Sequence, residues 1–443
     1  MGLDKEAVFH CSPDYKAIQR KGVNYFWNRR TDGFIETDKV GKYILRFLPG
    51  NLVEIQTRFR DRGINLSKVL LAGYLNVLLK GGVIADPKNA RLPKRKKRRL
   101  SADDCPRVSA VIVTFNSMRY IPANLDSLFG QTVPLHQVIV SDNGSTDGTL
   151  EWMETHYPQV TVLRNHRNLH YTGAVNAGVR AADGQLLLIL NDDVVMQEDF
   201  LENLLRRYQE STGKKKLAGV IPQIRLYRTP GFINSVGNVV RNHGWGMDNY
   251  FGVVDLGQFS RLKTTSSACF AAVLVTRGAW ESVGPMDENF KFYDDVDWSF
   301  RAHMHGFDWL VAPEALVYHQ FGGTYPSGRK ITLVVKSRQR FVLKHLPGRI
   351  MLSFFRNYLK EDLRNMARFV KQRKLTFLRY VCAYARLAME LPGLLIHRLR
   401  HPRASREDVF AFDRKNPPVV VMANARNQPV VNVGVIRSYY YFL

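Results

Sequence analysis

The sequence predicts an α/β protein built on a mostly parallel sheet. Three observations carry this. From Val108 onward, strand-like and helix-like segments alternate at the spacing of βαβ units. The apolar run Leu186-Leu187-Leu188-Ile189-Leu190 stops at Asn191-Asp192-Asp193. A buried strand that ends at carboxylates delivers charge to one edge of a sheet, and in open α/β sheets ligands bind beyond the carboxyl ends of the strands. A second acidic cluster follows about a hundred residues later, Tyr293-Asp294-Asp295-Val296-Asp297-Trp298. Two separated acidic clusters on one frame suggest two tasks: holding a divalent cation and handling a proton.

The chain has 443 residues, room for two or three domains. At 45% hydrophobic and 23% charged it can bury an ordinary core. Its net charge of +25 implies an anionic partner: nucleic acid, an acidic membrane surface or a phosphorylated substrate. The four cysteines (Cys11, Cys105, Cys269, Cys382) form no Cys-x-x-Cys pair. That argues against a zinc site or a disulfide framework and fits a reducing cytoplasm. The first residues, Met-Gly-Leu-Asp-Lys-Glu, contain no apolar h-region, so no signal peptide is expected. The best spanning candidate, Leu375 to Leu399, is interrupted by Arg379, Arg386, Glu390 and Pro392 and reads as not spanning.

Residues 1–90 read as a small N-terminal α+β domain. Asp38–Phe47 and Asn65–Leu79 have helical periodicity, and Lys80-Gly81-Gly82 stops the second helix. Asn24–Trp27, a turn at Thr31-Asp32-Gly33, and Phe34-Ile35 read as a hairpin. Residues 91–106 form a linker whose run Arg91–Arg99 is basic and solvated. Residues 107–330 form the α/β domain. Strands are expected at Val108–Thr114, Gln137–Ser141, Val160–Arg164 and Gln185–Leu190, with helices at Tyr120–Phe129, Gly148–His156 and Thr172–Ala182. After Gly219 the pattern turns irregular. It recovers at Ala268–Thr276, in a helix starting near Asp294, and at the strand-like Ala315–Tyr318. Residues 331–443 are a basic helical C-terminal extension. Its part 331–403 holds 17 Lys/Arg against three Asp/Glu, interleaved with apolar and aromatic residues. Val419–Leu443 looks strand-like.

The strand ends carry the chemistry. Val113-Thr114-Phe115-Asn116 and Ser141-Asp142-Asn143-Gly144-Ser145-Thr146-Asp147-Gly148 supply small polar donors at strand-to-helix turns, suited to an anion or to ribose hydroxyls. A plain Asx turn with a helix cap would use the same residues. In Asn165–Gly178, Asn168 and Asn176 could face a nucleotide, or the small residues could simply allow close helix packing. Asp193, with Asn191, suits Mg²⁺ or Mn²⁺, which want one or two carboxylates plus substrate phosphates. Close carboxylates at 294–297 raise one another's pKa and make one a usable base, or else they merely favour a helix N-terminus. His319 lies at a strand end before Gly322-Gly323 and is either structural or a further metal or phosphate contact.

In this order, Val111–Asn116, Asp142–Thr149, Asn176-Ala-Gly178, Leu190–Asp193, Gly284-Pro-Met-Asp-Glu288, Asp294–Trp298 with Arg301, and His319 resemble family 2 glycosyltransferases of GT-A fold. Within that family the chain resembles the bacterial rhamnosyltransferase-like branch, over about residues 107–346. The resemblance implies inverting transfer of a hexose from a UDP- or dTDP-sugar in cell-surface glycan or glycoconjugate synthesis. It places Thr114, Asn116, Asp142 and Asn143, with Asn168, Asn176 and Asp192, around the nucleotide. It places Asn191, Asp193 and His319 at a divalent cation, Mg²⁺ or Mn²⁺. Asp295 is then the base, with Asp294, Asp297, Trp298 and Arg301 contacting the acceptor or supporting the site. Asn191 stands where the first acid of Asp-x-Asp is usual, and Asp294 where Glu is common.

The first unit has its own resemblance. Gly33–Gly41, Ile44-Leu45, Leu48-Pro-Gly50 and Leu75–Val83 look like the small winged-helix peptide-binding protein of pyrroloquinoline quinone biosynthesis. That implies a module gripping a peptide or protein, while a helical docking domain would read similarly. Two competing functions are a catalytically weak glycosyltransferase-like scaffold, motivated by Asn191, and a nucleic-acid-binding protein, motivated by the charge. Nucleic acid is set aside because the aromatic-basic interleaving lies outside the α/β domain and no nucleic-acid motif appears. The partners expected are a nucleotide sugar, a glycan, lipid-linked or peptide acceptor, and an anionic membrane. The protein is expected in the cytoplasm, peripheral at the inner face of the plasma membrane.

Overall fold

The computed structural model describes most of residues 105–400, except 212–215, 241–245, 321–326 and a few positions between 253 and 261, together with short segments outside that range. The expectations at 91–99 and 419–443, and most of those at 38–46 and 65–79, lie outside the described residues. Near the N-terminus, strands Tyr15–Arg20, Val23–Asn28 and Gly33–Thr37 form an antiparallel meander. The expected hairpin is its second half, with Phe26 opposite Ile35 and Trp27 opposite Phe34. The sequence reading did not single out the helix Leu52–Arg60. Asn51 starts it with a capping box shared with Glu54, which satisfies orphan N–H groups at its first turn.

The α/β domain alternates β1 (Val108–Thr114), α1 (Ile121–Phe129), β2 (Gln137–Asp142), α2 (Thr149–His156), β3 (Thr161–Arg164), α3 (His170–Ala181) and β4 (Leu186–Asn191). These match the expected elements within two residues at each end. The chain continues through β5 (Val194–Met196), α4 (Phe200–Gln209), β6 (Leu217–Leu226), β7 (Thr229–Ser235), β8 (Asn238–Val240), β9 (Gly246–Asp248) and β10 (Thr264–Thr265). Then come β11 (Ala272–Thr276), α5 (Arg277–Val283), α6 (Asp294–Met304) and β12 (Asp308–His319). The segment after Gly219 is not irregular, because β6 and β7 run through it. The strand expected from Ala268 begins only at Ala272.

The main sheet has the order β5-β12-β6-β11-β4-β1-β2-β3, with β7 added to β6 and β10 to β12. β1, β2, β3 and β4 are mutually parallel, β6 is parallel to β12, and β11 runs antiparallel to both its neighbours β4 and β6. Reversing one central strand leaves the ends of β1, β2, β4, β6 and β12 at one edge.

The apolar run of β4 shows why the strand is buried on both faces. Leu186, Leu188 and Leu190 enter a core cluster with α1 and α4, while Leu187 and Ile189 enter another with α3, α5 and α6. Period-two alternation across a sheet covered by helices produces this split. α3 approaches closely because Gly178 sits against Val111, where an added Cβ would overlap the valine methyl. The chain then forms α7 (Ser327–His345), α8 (Gly348–Lys371) and α9 (Phe377–Arg400). The boundary read at residue 330 falls within α7. This helix shares a core with the α6 region, through Phe290, Tyr293, Val296 and Phe300 on one side and Phe341, Val342 and Leu346 on the other. No described helix is long and apolar enough to cross a membrane.

Candidate active site

The carboxyl edge of the sheet gathers most of the residues singled out by sequence. Register places Thr114 beside Asp142 and Val113 beside Asn191. The loops after β1 and β2 are laced together. Asn116 accepts from the Thr146 N–H at 2.7 Å, and its own N–H donates to the Ser145 hydroxyl at 2.8 Å. Asp142 is buried and accepts from the N–H groups of Gly144 (2.9 Å) and Ser145 (3.0 Å). That is an Asx turn holding the loop shape. Asn116, at φ 52°, is exposed on top of it.

Asn143 and Asn176 are committed internally. Asn143 accepts from the Leu169 N–H (3.0 Å) and donates to the His170 carbonyl (3.2 Å). Asn176 clamps Met286, accepting from its N–H (2.9 Å) and donating to its carbonyl (3.0 Å), and its amide also reaches Glu288. Asn168 is exposed and caps the His170 N–H at 2.8 Å.

The turn Asp192-Asp193 connects β4 to β5. Antiparallel pairing sets Val194 opposite His319, and Gln320 donates its N–H to the Asp193 carbonyl at 3.0 Å. Asp193 Oδ1 thereby lies 3.2 Å from His319 Nε2, with both side chains nearly buried. Burial alone would raise the Asp193 pKa. His319 and a hydrogen bond from the Asn191 side chain outweigh it and hold the carboxyl below its usual range. Asn191 thus stabilises the ionised Asp193. Asp192 is pushed up to about 7 by burial and by Asp193, although a hydrogen bond from Ser117 opposes the rise.

His319 Nδ1 pairs with Asn234 Oδ1 at 2.6 Å, and Asn234 Nδ2 donates to Asp248 at 3.3 Å. Burial pushes Asp248 up to about 6. Burial lowers the His319 pKa, but Asp193, Asp248 and Asp192 more than offset this and raise it.

Asp294 and Asp295 begin α6, after Tyr293 in the left-handed region at φ 63°. Its ring packs on Phe341 of α7. A helix N-terminus favours carboxylates, yet both acids are shifted upward. Burial, then Asp294 and Asp248, put the Asp295 carboxyl well above its usual range, even though Asn238 donates to it. Asp294 rises to about 6 by burial, with Asp297 adding to the rise. Burial and like charge exceed the helix-end effect, the expected ordering when carboxyls share a poorly solvated site.

The rest of the cluster is framework. Asp297 is fully buried and bonds Arg301 (3.0 Å), Lys344 (2.8 Å) and His345 (2.7 Å). Arg301 also donates to the carbonyls of Val283 and Pro285, both at 2.8 Å. Trp298 donates to the Gly284 carbonyl at 3.0 Å. These three residues therefore support the segment 283–288 and the helix carrying Asp295.

Four site residues escaped the sequence reading. Tyr171 donates to the Phe270 carbonyl, and its pKa is raised by burial and by the charges of Asp294, Asp295 and Asp193, so it stands between the two acidic clusters. Asn234, Asn238 and Asp248 lie on β7, β8 and β9, in the stretch read as irregular. The run Asn234-Ser-Val-Gly-Asn238 was the available signal, a turn-rich polar motif between apolar residues.

A divalent cation fits this geometry. Asp248 as a carboxylate only accepts, so it holds the Asn234 amide toward itself and the Asn234 oxygen toward His319 Nδ1. A neutral His319 then presents the Nε2 lone pair to Asp193 Oδ1. Two acceptors at this distance repel unless a proton or a cation joins them. Among the described residues there is no cluster of three or more potential ligands. The donor set of one carboxylate and one imidazole suits a cation that completes its shell with diphosphate oxygens and water.

The profile of Glycosyl transferase family 2 matches residues 109–238. A PGL/p-HBAD biosynthesis glycosyltransferase of Mycobacterium bovis is 27% identical over 225 residues, 49% of this chain and 78% of that protein. Chondroitin synthase of Escherichia coli is 28% identical over 211 residues, 46% of this chain and 28% of the synthase. An uncharacterized protein of Sinorhizobium fredii is 28% identical over 227 residues, 48% of this chain and 24% of that protein. The chain thus spans about a quarter of two of these relatives. Among solved structures, S. aureus TarS 1-349 in complex with UDP-GlcNAc aligns with a TM-score of 0.44 at 16% identity, over 69% of this chain and 88% of that one. GalNAc-T7 with UDP, GalNAc and Mn²⁺ aligns with a TM-score of 0.44 at 17% identity, over 60% and 54%. The matched residues 109–238 run from β1 to the start of β8 and include the turn Asn191-Asp192-Asp193.

Proposed function

We propose that the protein transfers a hexose from a UDP- or dTDP-sugar to an acceptor hydroxyl with inversion, as in the rhamnosyltransferase-like branch, for bacterial cell-surface glycan or glycoconjugate synthesis. One observation carries the reading. The Asp193–His319 pair and the high-pKa Asp295 lie around the same Asp248, at the carboxyl edge of a GT-A sheet. The chain thus offers an anchoring group for a diphosphate and a proton acceptor close to one another.

The roles follow from chemistry. The laced loops bearing Thr114, Asn116 and Asp142 hold the nucleotide. Asp193 and His319 would hold Mg²⁺ or Mn²⁺, with Asn191 keeping Asp193 ionised. When bound, the cation supplies compensation for negative charge on the departing diphosphate. Asp295 takes the proton of the attacking hydroxyl, and its raised pKa makes it a stronger base than an exposed carboxylate. A single displacement opposite the leaving group needs one base and no protein nucleophile, hence inversion. The acceptor is a glycan, a lipid-linked sugar or a peptide, met at an anionic membrane on the cytoplasmic side.

The test is a thermal-shift screen of nucleoside diphosphates and their sugars with Mn²⁺. A ligand that binds only the folded protein raises its melting temperature. Stabilisation by a UDP- or dTDP-sugar, followed by hydrolysis or transfer of that sugar, supports the reading. Binding without turnover points to the scaffold alternative drawn from Asn191.

A further inference from the structure

We infer that the outward face of α9 is a docking surface for an anionic phospholipid bilayer, with the helix lying in the plane of the interface. This deepens the membrane part of the reading above by assigning the surface, and it stands whether or not sugar transfer is the activity.

The surface is defined by what is exposed. Of fifteen large apolar side chains exposed among the described residues, eleven lie between Leu352 and Leu399. That concentration excludes the ordinary scatter of surface apolar residues. On α9 six of the seven fall on one face: Leu378, Val381, Met389, Leu395, Ile396 and Leu399 recur at steps that keep them on a single stripe, with Leu391 at its margin. Exposed Cys382, Ala385 and Ala388 continue the stripe without a polar break. Met389 is 75% exposed and Leu399 79%.

The opposite face is occupied. Tyr380, Ala383, Leu387 and Leu394 are buried, and Tyr380 and Ala383 pack with Ile331 and Val335 of α7. Glu390, the only acid on α9, turns inward to Lys336 and Arg340, both at 2.6 Å. The outer face therefore carries no carboxylate.

Charge decides the occupant. Residues 348–400 hold twelve Lys/Arg and three Asp/Glu. Asp362 is buried on Arg338 and Glu390 is paired, while eleven of the twelve bases are exposed. Arg379, Arg386 and Arg400 flank the stripe, and Lys371, Arg373 and Lys374 crown the α8–α9 turn. A second copy set face to face would bring these bases together without partners. Anionic head groups supply the missing charge while acyl chains cover the stripe. The 24 residues of α9 give a strip about 36 Å long. Its flanking arginines and Pro392 fit an in-plane position, and no described helix qualifies as a span. α7 joins this surface to the candidate site, since it touches α9 through Gln339–Tyr384 and α6 through Lys344–Asp297.

Cys382 provides the probe. An environment-sensitive fluorophore is attached there in the full chain, with Cys11 and the half-buried Cys105 and Cys269 changed to Ser. The protein is mixed with phosphatidylcholine vesicles, with or without phosphatidylglycerol. We expect a blue shift with anionic vesicles only. Co-sedimentation should be about tenfold stronger on anionic than on neutral vesicles and should fall in about 1 M salt, where screening shortens to about 3 Å. The triple variant Met389→Asp, Leu395→Asp, Leu399→Asp should lose vesicle binding while keeping its melting temperature and its thermal shift with nucleoside diphosphates. A blue-shifted probe without vesicles, shed on dilution of a dimer or not, would mean that protein already covers the face, and would overturn the inference. So would equal binding to neutral and anionic vesicles, or full binding by the triple variant. Loss of nucleotide response with retained vesicle binding would count against the transferase reading alone.

Discussion

His319 Nδ1 and Asn234 Oδ1 are 2.6 Å apart, and this contact sets which nitrogen of the imidazole faces Asp193. Asn234 cannot turn, because its amide donates to the Asp248 carboxylate. His319 Nε2 is thereby aimed at Asp193 Oδ1 as a lone pair for a cation or, once protonated, as a donor. Partners that orient a ligating imidazole typically contribute 10–100-fold in metal affinity. Asn234→Ala should weaken Mn²⁺ binding, measured by calorimetry in the presence of UDP, by about that factor. The cost in stability should be about 1 kcal/mol for each of its two hydrogen bonds, to His319 and to Asp248. An unchanged Mn²⁺ affinity would show that His319 is oriented by something else.

Asp193→Ala should abolish the increment that Mn²⁺ adds to nucleoside diphosphate binding. Metal binding in the wild type should also weaken as pH falls. His319 is raised above its ordinary value by Asp193, Asp248 and Asp192, so on acidification it protonates early, and an imidazolium cannot ligate. Titrating Mn²⁺ affinity against pH checks the sign. An affinity that rises on acidification would remove His319 from the cation.

The α/β half of this architecture was legible because its signals are local. β1, β2 and β4 each combine a short apolar run with a polar terminus, and burial on both faces makes that run continuous. The acids at 192–193 and 294–297 were visible for the same reason, being fixed at strand and helix ends. The middle of the chain was not legible. β6 and β7 are separated by a bend, pair with register shifts, and are flanked by glycines and aromatics that mimic a loop. Asp248 and Asn234 gain their meaning only from the fold that brings them to His319. Asp297 and Arg301 read as contacting the acceptor or supporting the site, and only the fold shows which partners they hold: Lys344, His345 and the carbonyls of Val283 and Pro285.

Asp295→Asn should lower turnover by about 10²–10⁴-fold while leaving donor binding intact, since the amide keeps the shape and loses the base. Because burial, Asp294 and Asp248 raise the Asp295 pKa, activity should fall as pH drops through that raised value, where the base becomes protonated. Asp248→Asn removes one of the charges that raise it. The acid limb of the wild-type pH–rate profile should therefore move to lower pH in this variant. A limb that stays in place, or moves up, would mean that another group sets it.

Lys344 is buried between Asp287 and Asp297, 2.8 Å from each. Removing one member of a buried ionic group leaves charge uncompensated, so Lys344→Met should cost about 3 kcal/mol near neutral pH, read from the denaturant midpoint. The pH dependence has a fixed sign. Although burial opposes it, Lys344 first, then Arg301 and His345, hold the Asp297 carboxyl well below its usual range. A depressed carboxyl contributes stability above its unfolded pKa of about 4, and that contribution is lost as pH falls toward the folded value. In Lys344→Met the carboxyl titrates higher and protonates sooner. The gap in stability between wild type and variant should therefore narrow below about pH 4. A gap that stays constant on acidification would show that Lys344 acts through its contact with Phe290, whose ring lies beneath its ammonium at 5.2 Å, and not through Asp297.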